Sequence, residues 1–220
     1  VLYVYGGPAV QSVTDRWSPK LLWQHWADRG FFVAQIDNRG GAGRGQAFAA
    51  PIAGKLGMVE LADQIAGLDW MLANMPIDGS RVAIYGHSYG GTMALQGLLG
   101  APGRFKAGIS ASPVTDWRLY DTGYTERYMG TPKDNLLGYD EADLTTKVDA
   151  LTGKLFLIHA LMDENVHFQN SAKLIDALVA KQKDFDSLVL PGERHGYRDP
   201  KTKQYVYRRI TNFLVETLAP

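Results

Sequence analysis

The sequence of 220 residues contains no cysteine. That excludes disulfides, thiolate metal sites and a cysteine nucleophile, and leaves the redox compartment undetermined. It has no excess of either charge: 23 basic residues balance 23 acidic ones. Neither a basic stripe for nucleic acid nor an acidic solvating tail is present. No apolar run approaches the roughly 18–20 residues that span a bilayer. Internal repeats and low-complexity segments are also lacking. What remains is ordinary globular composition, 45% hydrophobic and 21% charged, in a chain long enough for a sizeable core. The opening "VLYVYGGP" has no initiator Met and lies within a strand-like run, so the chain reads as a piece of a longer protein. The missing targeting signal therefore carries no weight.

Short apolar runs recur between turn signals, at Leu2–Tyr5, Phe31–Ile36, Val82–Tyr85, Ala107–Ala111, Phe156–His159 and Leu188–Leu190. They do not alternate cleanly, as expected of strands buried on both faces. Helical stripes lie between them. Leu61, Ile65, Leu68, Leu72 and Met75 share a face before Pro76 stops that helix. Leu174, Ile175, Leu178 and Val179 form a second stripe, and Tyr207, Ile210, Phe213, Leu214 and Leu218 a third. This alternation predicts an α/β fold with a mostly parallel sheet covered by helices on both faces. From about Trp117 to Asp149 the rhythm breaks, and the Tyr-, Asp- and Gly-rich segment reads as an excursion over one end of the sheet.

Gly86-His87-Ser88-Tyr89-Gly90 fits the G-x-S-x-G elbow, a sharp strand-to-helix turn that lifts a serine hydroxyl above the sheet edge. Flanking side chains would clash with neighbouring backbone there, and the helix that follows aims its N-terminus at developing negative charge. A serine hydroxyl needs a base, and the base needs an orienting acid. On this kind of sheet they follow in the order serine, acid, histidine. His25 and His87 precede Ser88. His159, inside "LFLIH", reads as a packed strand-end residue, and His167 opens a helix. His195, in the polar loop "PGERHGY" after the last apolar run, is the candidate base. The segment after the penultimate strand offers Asp163 and Glu164. Asp163 is preferred, and Glu164 reads as an exposed loop acid.

Together, "VYGGP", "GHSYGG", "YTERYMG", "DENVHFQ" and "RHGY" resemble the prolyl oligopeptidase family of serine peptidases, in order and spacing, from Leu2 to the C-terminus. The likeness is strongest to the C-terminal hydrolase domain of dipeptidyl peptidase IV-type members. The resemblance implies one α/β-hydrolase catalytic domain over residues 1–220, with Ser88 as nucleophile, Asp163 as acid and His195 as base. It implies an oxyanion hole from the Tyr89 main-chain N–H and the Tyr5 hydroxyl. An apolar pocket for a proline ring would be walled by Tyr89, Val114, Trp117, Tyr120, Tyr124 and Val166. Asn165 would bind the substrate's P2 carbonyl, and Tyr120 would stand near its free amine. The implied reaction is release of N-terminal dipeptides with proline or alanine in the penultimate position. The same family also holds tripeptidyl, oligo- and acylaminoacyl peptidases and non-catalytic partner-binding relatives. It further implies a peptide substrate, an N-terminal β-propeller outside this chain, a homodimeric parent, and a secreted or periplasmic setting. No cofactor and no metal are expected.

The sequence departs from the family in two places. The elbow carries His87 where tryptophan is frequent, and His159-Ala160 replaces a His-Gly pair. Two other signals fail on spacing. The glycines of "NRGGAGRGQAF" do not match a dinucleotide loop, and no Lys-Ser or Lys-Thr follows as in a P-loop. His159, Asp163 and His167 do not form a helical metal motif. Trp117, Tyr120 and Tyr124 also fit a single helical face, a spacing that packing alone would explain.

Overall fold

The computed structural model describes residues 1–18 and 21–218. Five parallel strands form one sheet in chain order: β1 Leu2–Tyr3, β2 Ala83–His87, β3 Ala107–Ala111, β4 Lys154–Ala160 and β5 Asp186–Leu190. The helices are α1 Leu21–Ala27, α2 Gln46–Ala49, α3 Met58–Asn74, α4 Tyr89–Gly100, α5 Thr122–Met129, α6 Leu136–Ala142, α7 Gln169–Ala180 and α8 Pro200–Leu218. Successive strand residues point to opposite sides. Ile84, Leu155 and Leu157 meet Leu68, Met93, Leu95, Leu98, Leu174 and Leu178 of α3, α4 and α7. Ala83, Tyr85, Phe156 and Ile158 meet Trp26 of α1 and Val206, Ile210 and Leu214 of α8. Both faces are thus covered, which is why the strands read as continuous apolar runs.

The first two expected strands differ from the structure. β1 has only two residues in the ladder; Val4 N–H still donates to Tyr85 (2.8 Å), after which Gly6, at φ +79°, turns the chain away. Beside so short a partner, the Phe31–Ile36 run makes a single bridge, Ala34 to Leu2, rather than a strand. Val179 is 63% exposed, so the α7 stripe is narrower than its apolar pattern. The buried face of α3 is also rotated: Glu60, Leu61, Gln64, Leu68 and Met71 are buried, while Ile65 and Leu72 only flank the core. Pro76 follows an extended Met75, where α3 ends.

The segment after β3 folds as an excursion. It contains a short turn at Trp117–Leu119, then α5, capped by Asp121 accepting from Tyr124 N–H (2.8 Å), then α6, capped by Asn135. Trp117, Tyr120 and Tyr124 therefore do not share one helix. Trp117 lies in the turn, Tyr120 ends it, and Tyr124 belongs to α5.

Candidate active site

Ligands of open α/β sheets bind beyond the carboxyl ends of the strands, and there the sequence candidates converge. Ser88 links β2 to α4 with φ +61° and ψ −123°, a conformation that costs a residue with a side chain. Its neighbours explain the glycines. A Cβ on Gly86 would stand 2.2 Å from the carbonyl oxygen of Gly90, and one on Gly90 would stand 2.2 Å from that of Val4. The turn can therefore be this tight only with glycine on both sides. Ser88 N–H donates to Ala111 (2.8 Å), and its carbonyl accepts from Thr92 N–H (3.1 Å), starting α4.

The loop after β5 brings His195 over the elbow, with Nε2 2.9 Å from Ser88 Oγ. Its Nδ1 lies 2.8 Å from Asp163 Oδ2, in the loop after β4. A carboxylate can only accept, so Nδ1 carries the proton and Nε2 is left to accept from the serine. Asp163 is buried, and its Oδ1 accepts from the main-chain N–H groups of Asn165 (3.0 Å) and Val166 (2.8 Å). Burial opposes its ionisation, but hydrogen bonds from His159 and His195 hold the carboxyl well below the usual range. His159 is buried, with Nε2 2.8 Å from the Val166 carbonyl and 3.3 Å from Asp163, and Nδ1 2.6 Å from Ser171 Oγ. Glu164 instead faces outward, accepting from His195 N–H (3.3 Å) and pairing with Arg194 (3.2 Å). His25 sits on α1 against Arg29, away from this cluster, and His167 is exposed just before α7.

The candidate oxyanion donors come from two elements. Tyr89 is the first residue of α4, so its main-chain N–H faces outward at the helix start. Tyr5 is half-buried after β1, with its ring centroid 6.1 Å from that of Tyr89. Gly7 is wedged between them: a Cβ there would meet Tyr5 at 2.8 Å and Tyr89 at 2.9 Å.

The other candidates assemble as one wall. Tyr89, Val114, Trp117 and Val166 are buried, whereas Tyr120, Tyr124 and Asn165 reach solvent. Trp117 stacks on Tyr124 (6.1 Å, 17°) and tilts against Tyr89 (5.4 Å). Tyr120 stands edge-on to Trp117 and Tyr124, and its hydroxyl donates to Asn165 Oδ1 (2.6 Å). Tyr128, one turn along α5, extends the row at 5.0 Å from Tyr124. The i, i+4 spacing of Tyr124 and Tyr128 is the sequence feature that places them on one helical face. The structure adds His87, whose ring lies 4.8 Å from that of His195 and edge-on to Tyr197 (5.7 Å). Burial, followed by the neighbouring His195, pushes the His87 imidazole down to about 4.

The prolyl oligopeptidase family model matches residues 17–220. The chain belongs to the prolyl oligopeptidase family. It is 38% identical to mouse dipeptidyl peptidase 8 over 224 aligned residues, covering 99% of this chain and 25% of that protein. It is 39% identical to a probable dipeptidyl-aminopeptidase B of Grosmannia clavigera, covering 96% of this chain and 22% of that one. The crystal structure of Porphyromonas gingivalis dipeptidyl peptidase 4 superposes with a TM-score of 0.93 at 36% identity, over 99% of this chain and 31% of the other. The fold is that of the α/β-hydrolase domain of these family members. The chain thus spans about a quarter of the length of the curated relatives it matches.

Proposed function

We propose that this chain is the catalytic domain of a serine exopeptidase that releases N-terminal dipeptides with proline or alanine in the penultimate position. The unbroken hydrogen-bonded line Ser88–His195–Asp163 carries this reading. In it, His195 Nε2 takes the proton of Ser88 Oγ as the serine oxygen attacks the carbonyl carbon of the penultimate residue, whose bond to the next residue's nitrogen then breaks. Asp163 holds the imidazole in the required tautomer and stabilises the imidazolium. The tetrahedral oxyanion is held by the Tyr89 N–H and the Tyr5 hydroxyl. His195 then returns the proton to the leaving amine, and water resolves the acyl-enzyme by the reverse path. The proline ring packs on Tyr89, Val114, Trp117, Tyr120, Tyr124 and Val166, and Asn165 binds the P2 carbonyl. The family membership and the dipeptidyl peptidase relatives support the substrate class. In this reading the domain is part of a longer, homodimeric protein whose N-terminal β-propeller grips the substrate amine.

Remote binding energy of that kind is used to position the scissile bond. The intact protein should therefore cleave Gly-Pro and Ala-Pro arylamides well and their N-acetylated forms poorly. The decisive comparison is kcat/KM on a free-amine substrate and its blocked twin. Equal values would sink the dipeptidyl assignment and favour an oligo- or acylaminoacyl peptidase.

A further inference from the structure

The two candidate oxyanion donors sit on separate segments, Tyr5 after β1 and Tyr89 at the head of α4, so something must hold them at a working separation. The buried polar groups of α3 reach both. Glu60 is fully buried, and its Oε1 accepts from the Tyr89 hydroxyl while Oε2 accepts from Gly57 N–H (3.0 Å). One helical turn on, Gln64 is also fully buried. Its Nε2 donates to Asn38 Oδ1 (2.9 Å) and to the Ile36 carbonyl (2.9 Å). Asn38 Nδ2 in turn donates to the carbonyl of Gly6 (2.9 Å), the residue after Tyr5. Between these two, Asp63 clamps the Arg39 side chain and main-chain N–H (2.7 and 2.8 Å).

Packing alone does not call for this arrangement. Glu60 and Gln64 stand on a helix face otherwise made of Leu61, Leu68 and Met71. Gln64 Oε1 is buried with no hydrogen-bond partner among the described residues. A buried unpaired acceptor is destabilising, and an apolar side chain of similar shape would avoid it. The Glu60 carboxyl is likewise raised above its ordinary value by burial, with the Tyr89 bond opposing. The hydrogen bonds that Glu60 and Gln64 do make are shielded from water, where each is stronger than at the surface.

We infer that Glu60, Gln64 and Asn38 are positioning residues that brace the Tyr89 and Tyr5 donors against each other through α3. The inference rests on the oxyanion roles proposed above. Glu60 fixes the Tyr89 side chain and hence the start of α4. The Gln64–Asn38 pair fixes the turn that carries Tyr5. Loosening either arm moves a donor without removing it, which harms the transition state more than substrate binding.

The test uses the intact protein, with active sites counted by a fluorophosphonate that labels Ser88 and kcat expressed per labelled site. Gln64→Leu and Tyr89→Phe each remove one arm and delete none of the reacting groups. The expected result is a fall in kcat per site of about tenfold to a hundredfold. KM should stay within about threefold, and affinity for a boronate transition-state analogue should fall in parallel with kcat. If a variant folds poorly, labelled sites become fewer; unchanged kcat per remaining site would then overturn the inference, as would unchanged boronate affinity. Tyr89→Phe keeps the ring in the core and supplies the measurement if Gln64→Leu does not fold. A wild-type protein that takes no label would instead remove the serine peptidase reading itself.

Discussion

The two faces of the sheet are built from different materials. On the α1–α8 face, Trp26 is fully buried among Ala83, Tyr85, Ile210 and Leu214, and its indole N–H finds one partner, Thr211 (2.9 Å). On the α3–α4 face, aliphatic packing is interrupted by Glu60, Gln64, Thr92 and Gln96, all buried. A concavity of about 1130 Å³ between α1 and α8 opens on the first face, and its lining does not include Ser88. Volume is therefore a poor guide to chemistry here, and buried hydrogen bonding is a better one. The first face contributes stability. The second contributes stability and also holds atoms at set distances.

That contrast can be broken most sharply at the elbow. Ser88→Ala should lower kcat by roughly 10⁶-fold, the scale seen when a triad nucleophile is removed, and leave the thermal midpoint nearly unchanged. A loss of several kcal/mol in a denaturant melt would make Ser88 structural instead. Trp26→Ala tests the opposite face. It should cost about 3–5 kcal/mol of stability with no change in kcat per titrated site, and a fall in that kcat would erase the proposed division of labour.

Tyr5→Phe removes a hydroxyl without emptying space. The expectation is a drop in kcat of roughly 10²–10³-fold with KM little altered. Normal kcat with a large rise in KM would move Tyr5 from the oxyanion hole to the substrate pocket.

The smallest expected effect is pH-dependent and lies at the rim between the faces. His87 is depressed in the fold from 6.5 to about 4, so between those values the unfolded chain holds a proton that the folded one rejects. Its contribution is present above pH 6.5 and is lost as pH falls to 4 and below, about 3 kcal/mol in all. Urea melts at pH 4.5 and 7 should differ by less in His87→Phe than in the parent. An identical difference in both proteins would show that other groups carry the slope.

The sequence carried the strand–helix rhythm because backbone burial writes itself into apolar runs. Ala107–Ala111 has the same limits in sequence pattern and structure. Ser88, Asp163 and His195 could be singled out as candidates, and they do lie within hydrogen-bond reach, because strand ends and turn glycines are local signals. Glu60 and Gln64 could not be read, since a polar residue on an amphipathic helix is ordinarily assigned to solvent and its partners lie on other segments. The apolar pattern of α3 consequently points one step around, to Ile65 and Leu72. The Phe31–Ile36 run has strand composition, but pairing depends on the length of its neighbour, which composition does not encode. His87 stood out only as a departure from the family's tryptophan, and its contact with the His195 ring is tertiary.

Ser88 sits in a backbone conformation that glycine would adopt without strain. Stability alone would therefore favour glycine over the candidate nucleophile, and Ser88→Gly should melt higher than Ser88→Ala by about 1 kcal/mol or more. If the two melt together, the turn is not strained. If they differ, the turn carries a side chain on a backbone that disfavours one, and a lineage released from catalysis would be expected to lose its serine to glycine early.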